Sequence, residues 1–390
     1  MRWINNCVAG VLTLSLVFIP GDAAAEGKPG LTLPQPQENF DAYLEQSWAY
    51  LIHNSLPART AAGIRLNMPF EFSADPSVPY RGKFLLIHGL NDSPFVWHDV
   101  ARRLTVRGFD VRAILLPGHG TTPEDMLDVS YRQWLQVSRE HYDLWNVDDT
   151  PFYLGGFSLG GVIATILALE NQSLDGLFLF SPAYHSRLNH LLRWSSLYAK
   201  FKPWLFGGMI LEDNPVKYNS IPINSAAQYY KTTRYLKNRW RDRRINIPSL
   251  FVVTDNDSVV DVDYVRNIFA KRFGAAKRSL IIYTAEPNLA LADGEVRRNS
   301  AYPQQRIINQ AHLSLMNAPD NPLYGGANGL LICNGNEYPV FIACMRSREH
   351  WYGAQHTPSP DGIAVARTTI NPDFDYIFQE FDRVFIDKTL

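Results

Sequence analysis

The sequence predicts an α/β fold in which a mostly parallel central sheet carries helices on both faces and is interrupted by a helical insertion. From residue 81 onward, short apolar runs alternate with longer amphipathic stretches. This alternation is typical of a parallel sheet covered by helices. It stops between Tyr184 and Asn246, a stretch that is rich in aromatic residues and contains no buried-strand run, and it resumes at Ser249. We therefore expect two core segments on either side of an inserted cap.

The elements of this core can be placed in order from their hydrophobic periodicity. The predicted strands cover residues 84–87, 111–115, 152–157, 177–180, 249–254 and 279–283. The predicted helices cover residues 38–54, 96–106, 131–145, 160–169, 264–273 and 374–385. The expected organisation is a signal segment (1–25), an N-terminal extension (26–80), a first core part (81–183), the cap (184–246) and a second core part (247–390).

Composition and charge argue against a disordered chain and against a nucleic-acid-binding protein. The chain has 390 residues, of which 46% are hydrophobic and 19% charged, so it is expected to fold around a large core rather than stay disordered. Its formal net charge is −1, from 37 basic and 38 acidic side chains. A chain with this balance has no overall positive field to hold nucleic acid, and no nucleic-acid partner is expected.

The first 25 residues resemble a secretory signal peptide. Arg2 supplies the positive start, Cys7–Ile19 is an apolar run, and Ala23–Ala25 offers a cleavage site. The run is shorter than the roughly 20 apolar residues that a membrane-spanning helix needs. The mature protein is therefore expected to be exported, either periplasmic or secreted, with an uncleaved N-terminal membrane anchor as the alternative.

Export would place the remaining cysteines, Cys333 and Cys344, in an oxidising compartment, where an even pair favours a disulfide. Residues 334–336 (Asn-Gly-Asn) are a turn signal between two apolar runs, 330–332 and 340–342. We therefore expect a disulfide-closed β-hairpin within an insertion over residues 325–350, with two unrelated buried thiols as the alternative. The cysteines lack metal-site spacing, and neither a metal nor a cofactor is expected.

The chemistry is concentrated at one strand-to-helix junction. Residues 155–161 (Gly-Gly-Phe-Ser-Leu-Gly-Gly) contain G-x-S-x-G directly after a predicted strand and directly before a predicted helix. A serine forced onto such a sharp turn needs small neighbours two residues away on each side. This context predicts that Ser158 is a nucleophile. The alternative is a serine that merely caps a glycine-rich helix start.

A serine nucleophile needs an oxyanion hole, a base and an acid. One oxyanion donor is expected to be the backbone N–H of Leu159 at the start of the helix. The second is expected to be the N–H of Leu90, in the loop after the strand at 84–87. His88 precedes it and is expected to hold the backbone of this loop rather than take part in catalysis.

These segments, together with residues 116–125 (Leu-Pro-Gly-His-Gly-Thr-Thr-Pro-Glu-Asp), resemble one branch of the α/β-hydrolases. That branch contains monoacylglycerol lipases, lysophospholipases, bacterial carboxylesterases and serine aminopeptidase-like proteins. The resemblance covers roughly residues 80–315 and the final helix. It implies a serine-dependent hydrolase that cleaves carboxylic acyl esters through an acyl-enzyme. The alternatives are a peptidase of the same fold, an acyltransferase of the same fold, and a catalytically silent ligand-binding module.

The resemblance also implies the chain order serine, aspartate, histidine for the catalytic triad. The acid is expected after the strand that ends at Thr254, and Asp257 fits the family pattern best. Asp255 is the alternative, while Asp261 is expected to cap the following helix.

Three histidines follow the acid in the chain. His312 lies in residues 310–315 (Gln-Ala-His-Leu-Ser-Leu), which resemble the base loop of the family. Its distance from the strand at 279–283 is longer than the family usually shows, so residues 286–306 are expected to form an excursion. His350 and His356 remain as alternatives for the base.

The cap is strongly basic, with twelve Lys and Arg against three acidic residues. Four of its residues, Tyr229, Thr233, Leu236 and Trp240, share one helical face that is surrounded by basic side chains. Such a helix is typical of contact with an anionic membrane. The alternative is a solvated basic face balanced by acidic residues on the core.

Overall fold

An eight-stranded sheet organises the computed structural model, which describes residues 33–387 apart from 58, 172, 206–207, 209, 242 and 335–337. The predicted signal segment, residues 1–25, lies outside these residues. The strands are β1 (Phe70–Phe72), β2 (Gly82–Ile87), β3 (Phe109–Ile114), β4 (Phe152–Phe157), β5 (Gly176–Phe180), β6 (Ser249–Thr254), β7 (Arg278–Thr284) and β8 (Glu295–Asn299). Their spatial order is β1-β3-β2-β4-β5-β6-β7-β8, and neighbours run parallel except β1, which is antiparallel to β3.

Helices cover both faces of this sheet. They are α1 (Phe40–Asn54), α2 (Ala61–Arg65), α3 (His98–Thr105), α4 (Tyr131–Trp145), α5 (Leu159–Glu170), α6 (Asn189–Leu192), α7 (Ser195–Tyr198), α8 (Ile223–Trp240), α9 (Val262–Arg272), α10 (Tyr338–Arg346) and α11 (Phe374–Phe381). Alternate residues of β2 join different cores: Leu85 and Ile87 pack with α4, α5 and α9, whereas Phe84 and Leu86 pack with α3 and α11. Because both faces of the sheet are buried, the sequences of the central strands are continuous apolar runs.

The predicted core elements agree closely with this architecture. The strands β4 and β6 and the helix α4 have the predicted bounds, and the predicted C-terminal helix ends at Phe381 and continues as a π-helical turn, Asp382–Ile386. Residues 286–306, expected as an excursion, contain the edge strand β8. Its sequence, Glu-Val-Arg-Arg-Asn, has a single apolar residue, and four of its five side chains are half-buried or exposed, so hydrophobicity alone does not reveal it.

The cap contains the helices α6, α7 and α8 and contributes no strand to the sheet among its described residues. The face of α8 that carries Tyr229, Leu236 and Trp240 is buried, with exposures of 7%, 1% and 5%. It packs against the main core, which includes α5. This face is therefore not available to a membrane, which corrects the prediction that α8 lies on one. An acidic partner also exists on the core, since Arg239 lies 3.6 Å from Glu170.

The predicted β-hairpin around the cysteines is wrong. Residues 340–342 belong to α10 rather than to a strand. Pro339 accounts for the difference, because proline is tolerated in the first turn of a helix but removes a hydrogen bond from a strand ladder. The short parallel pair β9 (Trp351–Gly353) and β10 (Val365–Arg367) lies nearby in the chain.

Cys333 and Cys344 are joined through their sulfur atoms and are fully buried beside Ala366. Export of the protein, and the role of this bond in an exported chain, stay predictions. Among the described residues, these two cysteines and His350 form a group compact enough to hold a metal ion. However, the sulfurs are bonded to each other and His350 Nε2 lies 2.8 Å from the carbonyl oxygen of Cys344. In the part of the chain that the structure describes, no helix has the length and apolarity needed to cross a membrane.

Candidate active site

Ser158 stands at the turn between β4 and α5 in a strained backbone conformation. Its φ is +54° and its ψ is −114°, values that side-chain-bearing residues rarely adopt. The surrounding backbone holds it there. The N–H of Ser158 donates to the carbonyl of Phe180 at 3.0 Å, and its own carbonyl accepts from Gly161 and Ala183, each at 3.0 Å. The turn is therefore anchored to the end of β5 as well as to its own helix.

Glycine is required on both sides of this turn. A Cβ atom on Gly156 would lie 2.5 Å from the carbonyl oxygen of Gly160, and one on Gly160 would lie 1.9 Å from the carbonyl oxygen of Ile87. Both contacts are with backbone and cannot be relieved by a side-chain rotation. This close approach of α5 to β4 and β2 is the steric need that the G-x-S-x-G pattern indicates.

The loop after β2 runs directly against Ser158. A Cβ atom on Gly89 would lie 3.2 Å from the Cβ of Ser158, so the segment that carries Leu90 passes beside the serine. On the other side, Leu159 is the first residue of α5, where a backbone N–H has no partner within the helix. The two predicted oxyanion donors thus belong to the segments that flank Ser158, and their role in catalysis stays a prediction.

Asp257 and His312 form a buried acid–base pair. The Nδ1 atom of His312 lies 2.6 Å from Oδ2 of Asp257, and the two side chains are 13% and 0% exposed. The other carboxylate oxygen of Asp257 accepts hydrogen bonds from the N–H groups of Val259 and Val260 at 2.8 and 2.9 Å. Burial alone would raise the pKa of Asp257, but the nearby His312 and these N–H donors outweigh it, so the pKa is lowered. The carboxylate is therefore held ionised against the imidazole.

The two neighbouring aspartates point elsewhere. Asp255 accepts a hydrogen bond from the hydroxyl of Thr284 at the end of β7, and burial raises the pKa of its carboxyl. Asp261 accepts from the N–H of Tyr264 at 3.0 Å and caps α9, as predicted. Of the two candidates for the acid, Asp257 and Asp255, Asp257 is the one that contacts His312.

The loop of His312 is tied to the sheet. The hydroxyl of Thr254, at the end of β6, donates to the carbonyl of Gln310 at 3.3 Å. The hydroxyl of Ser314 in turn bonds the side chain of Gln310 at 2.6 Å. The His312 ring packs on that of Phe157, the residue before Ser158, with centroids 4.9 Å apart. The imidazole is thus positioned between the aspartate and the serine turn. The alternative His350 is instead bonded to the backbone of Cys344.

A family comparison covers the part of the chain that carries Ser158 and Asp257. The model of the family described as serine aminopeptidase, S33, matches residues 79–285, which is more than half of the chain. The protein belongs to this family. Together with the sheet order, this membership confirms the predicted α/β-hydrolase fold and the resemblance on which it was based.

Relatives of this S33 protein are distant. Thermostable monoacylglycerol lipase of Bacillus sp. (strain H-257) is 28% identical over 93 residues, which are 24% of this chain and 37% of that lipase. The match thus spans little more than a third of that relative.

Two solved structures are similar to part of the chain. One belongs to a study of LipS and LipT, two metagenome-derived lipolytic enzymes (18% identity, TM-score 0.48, 55% of this chain and 86% of the other). Another is the monoacylglycerol lipase of Paleococcus ferrophilus (17% identity, TM-score 0.45, 55% and 88%).

His88 supports the loop of this S33 hydrolase rather than its chemistry. The ring is fully buried, with Nδ1 lying 2.8 Å from the carbonyl oxygen of Gly89 and Nε2 accepting from the N–H of Leu116 at 3.0 Å. Burial, with the charge of His119 nearby, lowers the pKa of His88 well below its usual value. A neutral imidazole that bridges two loops is the structural role predicted for it.

The cap also holds the loop after β2 that carries Leu90, a contact that sequence reasoning missed. Lys217 Nζ lies 2.9 Å from Oδ1 of the buried Asp92, whose other oxygen approaches Gly89. The adjacent Tyr218 donates its N–H to the carbonyl of Asn91 at 2.8 Å, and its hydroxyl accepts from the N–H of Thr121 at 2.7 Å. These contacts join residues 97 or more positions apart, so no local pattern could reveal them. The one feature of the sequence that could have indicated this contact is Asp92, an acidic residue soon after a buried strand.

We expect Asp257→Asn to lower kcat by about 10⁴-fold, because the amide can neither stabilise the imidazolium nor fix its tautomer. Asp255→Asn is the matched control and should stay near the wild-type value, since Asp255 bonds Thr284 instead. Steady-state hydrolysis of a p-nitrophenyl ester by both variants, with circular dichroism to check folding, measures this. A crippled Asp255→Asn beside a nearly normal Asp257→Asn would contradict the assignment.

We expect Lys217→Met to lower kcat roughly tenfold, with a smaller change in KM. The methionine keeps the packing of the lysine stem but leaves the buried Asp92 without its cation, which loosens the backbone around Gly89 and Leu90. The loss should remain below the 10²–10³-fold that removal of a whole oxyanion donor typically costs. Lys231→Met, an exposed lysine on α8, is the control. Equal kinetics of the two variants would show that the Lys217–Asp92 pair does not position the loop.

Proposed function

We propose that the protein is an exported serine hydrolase that cleaves carboxylic esters of acyl chains through an acyl-enzyme intermediate. The observation that supports this most strongly is the buried Asp257–His312 pair, whose imidazole packs beside the strained turn of Ser158. Serine-dependent acyl transfer requires a nucleophile, a base and an orienting acid. The chain order serine, aspartate, histidine is the one found in α/β-hydrolases.

In the proposed reaction, Ser158 Oγ attacks the ester carbonyl while Nε2 of His312 takes the hydroxyl proton. Asp257 holds Nδ1 of His312 and stabilises the imidazolium. The tetrahedral intermediate collapses as His312 passes its proton to the departing alcohol, which leaves the acyl group on Ser158. His312 then takes a proton from water, and the hydroxide attacks the carbonyl of the acyl-enzyme. As this second tetrahedral intermediate collapses, His312 returns the proton to Ser158 Oγ, which releases the carboxylic acid and restores the serine.

Negative charge develops on the carbonyl oxygen in both tetrahedral steps. The backbone N–H groups of Leu90 and Leu159 are the proposed donors to this oxygen, helped by the positive end of α5. Because Lys217 and Tyr218 fix the Leu90 loop from the cap, the cap contributes to catalysis through the backbone that it holds.

The substrate class is proposed from two comparisons. The relative from Bacillus is named as a monoacylglycerol lipase, which favours an acyl ester as the small-molecule substrate. The family description names a serine aminopeptidase, so amide hydrolysis is the second candidate. Export is supported by the signal-like residues 1–25 and by the bonded pair of Cys333 and Cys344, which suits a periplasmic or secreted location.

A substrate series tests this proposal. The protein is assayed with p-nitrophenyl esters from short to long acyl chains, with a monoacylglycerol, and with aminoacyl anilides, beside Ser158→Ala as the control for background hydrolysis. We expect esters to be cleaved with a kcat/KM at least about 100-fold above that of the anilides, and Ser158→Ala to lose this activity. Anilides cleaved faster than every ester would instead identify a peptidase.

A further inference from the structure

The outer side of the cap carries a row of exposed apolar side chains. Its members lie between residues 188 and 201, and we call them the α6–α7 surface: Leu188, Leu191, Trp194, Leu197, Tyr198 and Phe201. They are between 50% and 77% exposed. Large apolar side chains are usually scattered singly on a protein surface, and a contiguous exposed group marks an interaction site.

The backbone places these side chains in one row. Four backbone hydrogen bonds join residues that are three positions apart, each from the N–H of the later residue to the carbonyl of the earlier one. The pairs are Leu191 with Leu188, Trp194 with Leu191, Leu197 with Trp194, and Phe201 with Tyr198. Successive residues three apart in such turns project to the same side. The opposite side faces inward, where Ser195 is buried and Leu192 packs on the main core.

Charge indicates the chemistry of the partner. Exposed cations are interleaved with the apolar row at Arg193, Lys200 and Lys202, and the sequence has no Asp or Glu from residue 184 to residue 211. Arg193 also lies over the ring of Trp194, 5.2 Å from its centroid. Apolar and aromatic side chains with surrounding cations match the interfacial region of a bilayer that contains anionic lipids. A second copy of this chain would instead bring two cationic surfaces together.

The α6–α7 surface is continuous with the candidate active site. Arg187, the residue before Leu188, makes two hydrogen bonds to this region. Its backbone N–H donates to the carbonyl of Val259 at 3.1 Å, and its guanidinium donates to the backbone carbonyl of Asp255 at 3.2 Å. The row therefore begins beside the loop that carries Asp257. A lipid surface bound there would lie next to one edge of the catalytic loops.

We propose that the α6–α7 surface docks the protein on an anionic phospholipid bilayer. The apolar side chains enter the interface, and Arg193, Lys200 and Lys202 contact the lipid phosphates. This contact replaces the one predicted for α8, whose apolar face is buried. The proposal does not rest on the ester substrate, because its test measures binding and not activity.

Vesicle sedimentation tests the apolar contact. The full chain is mixed with vesicles of phosphatidylcholine and phosphatidylglycerol, and with phosphatidylcholine alone. We expect Leu197→Ser/Phe201→Ser to weaken binding to the anionic vesicles by at least about tenfold. The matched control is Val106→Ser/Val147→Ser. These two valines are 51% and 76% exposed, and they lie before the starts of β3 and β4, at the end of the sheet opposite the loop that carries Asp257. The control should bind as the wild type does, and equal binding by the two double variants overturns the proposal.

A second pair of variants tests the charge. Lys200→Glu/Lys202→Glu should abolish the preference for anionic vesicles, whereas Lys231→Glu/Lys237→Glu, two exposed lysines of α8, should keep it. Loss in the α8 variant alone would move the contact to α8 and overturn the assignment to α6–α7. Size-exclusion chromatography without lipid tests whether a second copy of the chain occupies this surface. The proposal expects a monomer. A dimer that becomes a monomer in Leu197→Ser/Phe201→Ser would show that a second copy is the occupant and overturn the proposal.

A local probe removes any contribution of the apolar N-terminal residues. An environment-sensitive fluorophore is attached at Ser196→Cys, in α7, and separately at Ser77→Cys, in the loop before β2, with Cys7 replaced by Ser in both. Anionic vesicles should shift the emission at position 196 to shorter wavelength and leave that at position 77 unchanged. An unchanged emission at position 196 contradicts docking through this surface, whatever residues 1–25 do.

Discussion

The strained backbone of Ser158 is the constraint on which the rest of the site depends. A side-chain-bearing residue at positive φ costs about 1–3 kcal/mol and persists only where its surroundings fix it. Here the fixing elements are the ends of β4 and β5 and the first turn of α5, joined by hydrogen bonds to both peptide groups of the serine. The closeness of these elements in turn requires glycine at positions 156 and 160. Ser158 is therefore held by the central strands and not by a loop of its own.

Asp257 and His312 are brought to the serine turn by two separate connections. Asp257 follows β6 directly, and two backbone N–H groups orient its carboxylate. His312 comes 55 residues later, after β7 and the edge strand β8, and the tie between Thr254 and Gln310 returns its loop to the end of β6. The long segment between Asp257 and His312 thus adds two strands to the sheet and still returns the imidazole to the end of β6.

Sequence reasoning succeeded where one local pattern determines the structure. The buried strands, the turn at residues 155–161 and the capping role of Asp261 each follow from a few neighbouring residues. It failed where local apolarity was ambiguous, as at residues 338–346, where the run that suggested a strand lies in a helix with Pro339 in its first turn. It also missed β8, whose charged edge carries little apolar signal, and the pairing of Lys217 with Asp92, which only the folded chain brings together. The apolar face of α8 was identified, but periodicity alone could not distinguish a face buried on α5 from one lying on a membrane.

The central claim is that Ser158 is a nucleophile activated by His312 and Asp257. The most direct measurement is the site of covalent labelling by a fluorophosphonate, found from the intact mass and from peptide mapping of the labelled chain. The account predicts one label per chain, on Ser158, with labelling lost in Ser158→Ala and greatly slowed in His312→Ala. A folded protein that stays unlabelled, or that is labelled on another residue, would contradict it and favour a catalytically silent binding module.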